Sequence, residues 1–75
     1  MSRLTPQHYQ ALIKVFSKSG FKVDHQTGSH IIMTKPGVDR PLVIQKGKDV
    51  PVFHIKNLLR TAGLSRADYF ELLKG

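Results

Sequence analysis

The chain has 75 residues, 40% hydrophobic and 23% charged, which predicts one small globular domain and not a disordered segment. Twelve Lys and Arg against five Asp and Glu give a net charge of +7, which favours nucleic acid, an anionic membrane or an acidic protein as partner. The chain has no cysteine, which excludes disulfides and thiolate metal sites. It also lacks an apolar run of signal-peptide or membrane-spanning length, so we expect a soluble, cytoplasmic protein that does not associate with a membrane.

The N-terminal third of the chain predicts a helix followed by a strand. Thr5 and Pro6 are typical of an N-cap and a first helical residue, and the apolar residues that follow at helical spacing predict a helix over residues 6–19. Gly20 suits the left-handed position just after a helix. Residues 21–26 then alternate between apolar or aromatic and polar side chains, which predicts a half-buried strand.

Two more strands are predicted in the middle of the chain. Residues 29–35 are rich in β-branched and apolar side chains, Pro36-Gly37 interrupts them, and residues 40–45 form a third short run. Short connections predict an antiparallel meander. The sheet face that meets the helices stays open at this stage. In one arrangement Ile31, Met33, Leu42 and Ile44 lie opposite Phe21, Val23 and Ile32, which would leave one apolar face for a partner.

The C-terminal third predicts two helices. Apolar residues at helical spacing predict a helix over residues 52–62, which ends at Gly63. Ser65 and Asp68 resemble a capping box at the start of a short last helix. The order is therefore α-β-β-β-α with a short C-terminal helix, an α+β fold with a three-stranded antiparallel sheet in a single domain over residues 1–75.

The tripeptide Gly28-Ser29-His30 is the candidate catalytic element. If Thr27-Gly28 is a two-residue turn, His25 lies directly across from His30 on the same sheet face, with Cβ atoms about 5 Å apart. Two imidazoles at that distance can divide the roles of general base and general acid, because the ordinary pKa of histidine is about 6.5. A longer loop would break this pairing.

A phosphate site is predicted beside the same turn. In a three-stranded meander the third strand ends at the edge where the first turn lies, so residues 46–49 and the start of the next helix should lie near His30. A helix N-terminus and basic side chains suit a phosphate group. The predicted RNA- or phosphate-binding residues are Gly28, Ser29, His25, Lys46, Lys48, His54 and Lys56.

The chemistry that this arrangement supports is RNA cleavage without a metal ion. His30 would withdraw the proton from a ribose 2′-OH, and lysines would stabilise the charge that develops on the phosphate. We expect no metal and no cofactor, since the five acidic residues are scattered and the histidines lack a familiar ligand spacing.

Other interpretations stay open. A lone histidine beside a turn is more often a surface or capping residue than a catalyst, and Lys46, Lys48 and His54 are residues that commonly lie on a solvated surface. A non-catalytic RNA-binding module is the main alternative. A protein-interaction domain that binds an acidic partner through Ile31, Met33 and the lysines is another.

Three stretches resemble the HicA family of small bacterial toxins, also called the YcfA-like family. They are residues 12–21 (LIKVFSKSGF), residues 26–30 (QTGSH) and residues 57–73 (NLLRTAGLSRADYFELL). The resemblance implies a fold like that of double-stranded-RNA-binding domains and an mRNA interferase whose catalytic histidine corresponds to His30. It also implies a HicB-type antitoxin that binds the toxin and blocks its active site.

The chain departs from the pattern of that family at two places near the predicted site. Relatives frequently have a basic residue such as arginine where this chain has His25, so a two-histidine mechanism does not follow from the resemblance. The family often begins its second long helix with Gly-Thr or a similar pair, where this chain has Val52-Phe53. Anion binding at this helix therefore has to be judged from the chain's own residues.

Overall fold

The computed structural model describes residues 3–74 of the chain. Its elements are β1 (Gln7–His8), α1 (Tyr9–Lys18), β2 (Lys22–Thr27), β3 (His30–Thr34), β4 (Leu42–Gln45), β5 (Asp49–Val50), α2 (Val52–Ala62) and α3 (Arg66–Lys74). Strands β2, β3 and β4 form a three-stranded antiparallel sheet in that order. The fold is α+β and is consistent with the α-β-β-β-α arrangement of double-stranded-RNA-binding domains, as predicted.

The first helix begins later than predicted. Thr5 is not its N-cap and Pro6 is not its first residue, because the helix starts at Tyr9 and His8 is the N-cap. The Nδ1 atom of His8 accepts a hydrogen bond from the Gln10 backbone N–H at 3.3 Å. The physical reason is that residues 7–8 are extended and paired with another strand, a conformation that a helix excludes.

That pairing joins β1 to β5 in a second, two-stranded antiparallel sheet. Gln7 lies opposite Val50 and His8 lies opposite Asp49. Two-residue strands give no alternation long enough to detect in the sequence, so the prediction missed both. The pairing fixes the segment that leads into α2, which places the start of that helix beside the main sheet.

Strands β3 and β4 show which sheet face meets the helices. Ile31, Met33, Leu42 and Ile44 are all buried in one hydrophobic core with the apolar faces of the helices. Their sequence neighbours point to the opposite face, as the side-chain period of a strand requires, and are exposed or half-buried: His30, Ile32, Val43 and Gln45. His30 therefore lies on the outer face of the sheet, away from the core.

The predicted arrangement in which Phe21 and Val23 lie on the other sheet face from those core residues is wrong. Phe21 is buried in the same core, where its ring contacts that of Phe16 edge to face at 5.9 Å between centroids. Val23 pairs with Met33, since the register of β2 shifts between Val23 and His25. This β-bulge puts Val23 on the face of Met33, while only Ile32 of the three stays on the outer face.

The C-terminal helices agree with the prediction. Helix α2 spans the predicted residues and ends at Gly63, whose φ of +74° is the left-handed conformation that favours glycine. Ser65 and Asp68 form the predicted capping box: the Asp68 N–H donates to Ser65 Oγ at 3.0 Å, and the Ser65 N–H donates to Asp68 Oδ2 at 3.2 Å. Within residues 3–74, none of the helices has the length and apolar character needed to cross a membrane.

Candidate active site around His30

The turn before His30 consists of Gly28 and Ser29, so the predicted Thr27-Gly28 turn is wrong by one residue. Thr27 lies directly opposite His30 and the two residues between them form the loop. Gly28 has a φ of +55°, and every residue with a positive φ among residues 3–74 is a glycine. Glycine with positive φ at the first of two loop positions is the pattern of a type II′ hairpin turn.

The shifted turn changes the position of His25. It pairs with Ile32 and not with His30, so the two histidines are diagonal neighbours on the outer face, with Cβ atoms about 7 Å apart. The Nδ1 atom of His25 lies 2.7 Å from Oδ2 of Asp24, the residue at the bulge. The predicted direct pairing of His25 with His30 is therefore wrong, and His25 has a carboxylate as its immediate partner.

The prediction that the basic loop lies beside His30 is confirmed. Strand β4 runs antiparallel to β3 with Gln45 opposite His30. Just beyond that pair, the Lys46 backbone N–H donates to the Ser29 carbonyl at 2.6 Å. The turn before His30 and the loop after β4 are therefore joined at one edge of the sheet.

His30 lies in a cleft of about 200 Å³ between the sheet and the start of α2. The outer face of β4 forms one wall, and the β5 segment with the first turn of α2 forms the other. The remaining lining residues are Val43, Gln45, Asp49, Val50, Pro51, Phe53 and His54. The cleft thus combines two imidazoles with an apolar wall.

His54 is the second imidazole of this cleft, and its position near His30 agrees with the sequence prediction, which named it as a phosphate-binding candidate. Its Nε2 atom lies 3.0 Å from the Val43 carbonyl oxygen. A carbonyl only accepts hydrogen bonds, so Nε2 is the nitrogen that carries hydrogen in this contact and Nδ1 is the nitrogen left for proton exchange. The contact also ties the first turn of α2 to β4. His54 is the third residue of α2, so it lies at the start of the helix that the sequence predicted to lie near His30.

The N-terminus of α2 favours an anion. Its N-cap is Pro51, which makes no side-chain capping bond, and the first turn contains no acidic residue. Free N–H groups and the positive end of the helix dipole stabilise a phosphate at such a position. Asp49 is the acidic residue among those that line the cleft.

A family model described as the HicA toxin of bacterial toxin–antitoxin systems matches residues 9–64. The match covers most of the chain, including the His30 hairpin and the whole of α2. The chain belongs to the HicA toxin family. No curated protein matches it. Membership of the HicA family implies a toxin of a toxin–antitoxin system and an antitoxin partner, and it suggests a nuclease-type activity.

The predicted phosphate-binding lysines of this HicA-family chain divide into two groups. Lys46 and Lys48 are exposed in the loop between β4 and β5, next in sequence to two residues that line the cleft. Lys56 does not line this cleft. It lies on the other flank of α2, in a groove that it shares with Arg60, Arg66 and three leucines. Lys46 and Lys48 therefore lie beside the cleft that contains His30, whereas Lys56 lies in a different groove.

Among residues 3–74, no group of three or more His, Cys, Asp or Glu side chains is placed to hold a metal ion. Besides His30, the titratable side chains that line the cleft are those of His54 and Asp49. The two imidazoles and the helix N-terminus are the groups in this cleft that suit proton exchange and anion binding.

Proposed function

We propose that this HicA-family protein is an mRNA interferase that cleaves RNA without a metal ion, with His30 as the general base. The observation that carries the proposal is the cleft in which His30 and His54 lie together beside the uncapped N-terminus of α2. Two imidazoles and a phosphate site are the groups that RNA cleavage through the 2′-OH requires.

The reaction uses each group once. Nδ1 or Nε2 of His30 takes the proton of the ribose 2′-OH, and O2′ forms a bond to the adjacent phosphorus. The bond from phosphorus to the 5′-oxygen of the next nucleotide breaks, and protonated His54 gives its proton from Nδ1 to that oxygen. The products are a 2′,3′-cyclic phosphate and a free 5′-OH. Backbone N–H groups at the start of α2 stabilise the charge on the phosphoryl oxygens.

The same cleft would be the target of a HicB-type antitoxin. The family implies an antitoxin, and the net charge of +7 favours an acidic partner. An antitoxin that covers His30 would exclude RNA from the cleft and neutralise the toxin. Since mRNA is the substrate, the toxin would act in the cytoplasm.

An RNA oligonucleotide with one 2′-deoxy nucleotide tests the reaction. With a metal chelator present, we expect cleavage at the all-ribose positions, a cyclic phosphate on the 5′ fragments and no cleavage after the 2′-deoxy position. Cleavage after that position would contradict attack by the 2′-OH, and loss of cleavage in chelator would contradict the metal-independent reaction.

A non-catalytic RNA-binding module is the second candidate function. It is favoured by the arrangement of the sheet and helices, which many domains use to bind RNA without cutting it. In that case the protein would retard the same oligonucleotide in a gel and leave it intact over the whole incubation.

A further inference from the structure

Phe53 is an aromatic side chain left in solvent. It is 68% exposed, more than any other large hydrophobic residue among residues 3–74, whereas Phe16 and Phe21 are buried in the core. An exposed phenyl ring contributes nothing to the core and leaves apolar area in contact with water. A ring in this position is therefore available to a ligand.

The ring lies at the candidate active site. Phe53 is the second residue of α2 and lines the same cleft as His30. It neighbours the His54 ring edge to face, with the centroids 6.4 Å apart. The apolar wall around it is continued by Val43, Val50 and Pro51.

A nucleotide has two groups that can bind beside Phe53 and the N-terminus of α2. Its phosphate is an anion that suits the helix N-terminus, and its base has flat apolar faces that stack on aromatic rings. Stacking on a phenyl ring needs a base that is not already stacked and paired in a duplex. The adjacency of Phe53 to the uncapped first turn of α2 offers both contacts to one nucleotide.

We propose that Phe53 is a nucleobase-stacking site, which binds an unpaired base next to the phosphate that is cleaved. This inference rests on the proposed RNA substrate and adds that the substrate must be single-stranded at the cleft. A ring face does not distinguish the four bases by hydrogen bonds, so the site tolerates any base.

Fluorescence of a tryptophan at this position tests stacking directly. The chain contains no tryptophan, so Phe53→Trp introduces a single reporter. In a His30→Ala background, which prevents cleavage, we expect a short single-stranded RNA to quench the emission. An abasic ribose-phosphate oligomer of the same length should bind without quenching it. Emission that stays unchanged when RNA binding is saturated would overturn the proposal.

Affinity measurements give an independent test. Phe53→Ala should weaken binding of single-stranded RNA by about tenfold and leave binding of a blunt RNA duplex unchanged. Val23→Ala is the matched control, since Val23 is 50% exposed and is not among the residues that line the cleft. Equal loss of duplex and single-strand affinity in Phe53→Ala, or no loss of either, would overturn the stacking site.

The two proposals fail separately. If the wild type leaves RNA uncut while Phe53→Trp emission is still quenched, the ribonuclease proposal is contradicted and the base site is supported. If the wild type cuts RNA and Phe53→Ala cuts and binds it equally well, the ribonuclease proposal is supported and the base site is contradicted. Loss of antitoxin binding in Phe53→Ala, with RNA affinity unchanged, would assign the ring to the protein partner and overturn the proposal.

Discussion

His30 and His54 reach the same cleft from different parts of the chain. His30 is the first residue of a strand and lies on its outer face, whereas His54 is in the first turn of a helix and is held by the Val43 carbonyl. The sequence singled out His30 through the Gly-Ser-His motif. It named His54 as one of several phosphate-binding candidates near His30 but did not predict its contact with Val43, because the packing of α2 on β4 depends on the tertiary fold and has no local pattern.

Removing the second imidazole should slow cleavage without preventing RNA binding. Positioned acid–base groups contribute roughly 10²- to 10⁴-fold in rate, so His54→Ala should lower the cleavage rate constant by a factor in that range. Single-turnover cleavage with saturating enzyme measures it. Asn57→Ala, at an exposed position of α2 that does not line the cleft, is the control. A His54→Ala rate constant equal to that of the control would show that His54 is not the acid.

Burial changes the pKa of Tyr69. Its side chain is buried and its hydroxyl has no hydrogen-bond partner among residues 3–74, and burial raises its pKa above the ordinary value. An unpartnered buried hydroxyl is unfavourable, so Tyr69→Phe should unfold at equal or higher urea concentration near pH 7. A loss of more than about 1 kcal/mol would mean that the hydroxyl has a partner.

The raised pKa of Tyr69 also gives a pH dependence. Above about pH 10 the unfolded chain releases the phenolic proton while the folded chain retains it, so the free energy of unfolding falls as pH rises. Tyr69→Phe lacks this contribution. Urea unfolding of both proteins at neutral and alkaline pH measures the difference, which should increase with pH in favour of Tyr69→Phe. A constant difference would contradict the burial effect.

The elements were predictable where their signals are local. Gly63 and the Ser65–Asp68 capping box mark helix ends through their own backbone and side-chain geometry, and both were confirmed. The hairpin register was not predictable in the same way, because Thr27-Gly28 and Gly28-Ser29 are both acceptable two-residue loops. The bulge at Asp24 and the β1–β5 pairing depend on contacts between distant parts of the chain.

The turn before His30 should be sensitive to a Cβ atom. Gly28 and Gly37 both have positive φ, and a Cβ at either would meet nothing within 4 Å, so alanine at each adds backbone strain alone. Both variants should lose about 1–2 kcal/mol of stability in urea unfolding. Only Gly28→Ala should also lower the cleavage rate. Gly28 lies two positions before His30, so strain there displaces the turn that positions the histidine. Equal cleavage rates for the two folded variants would contradict a positioning role for the turn.

The whole molecule carries a net charge of +7, and the fold distributes its cations unequally around the cleft. The sequence predicted the sign of the charge and the proximity of the 46–49 loop to His30. It did not predict that Lys56 lies on the far flank of α2, since its helix position relative to the cleft is set by how α2 packs on the sheet.

Salt dependence of RNA binding tests this distribution. Each phosphate contact contributes roughly 0.7 to the slope of log affinity against log salt for a single strand. Lys46→Ala with Lys48→Ala should therefore reduce the slope by about 1.4, whereas Lys56→Ala should leave it unchanged. The binding constant of a short single-stranded RNA, measured over a series of salt concentrations, gives both slopes. A reduced slope in Lys56→Ala would place RNA on both flanks of α2.

The rate of RNA cleavage by His30→Ala, measured in the presence of chelator, tests the central claim most directly. Thr34→Ala is the control, since Thr34 is exposed on the same face of β3 outside the cleft. We predict that His30→Ala folds and binds RNA as the wild type does and that its cleavage rate falls by at least about 10²-fold, while Thr34→Ala is unaffected. Cleavage by folded His30→Ala at the wild-type rate would contradict the claim that this histidine is the catalyst.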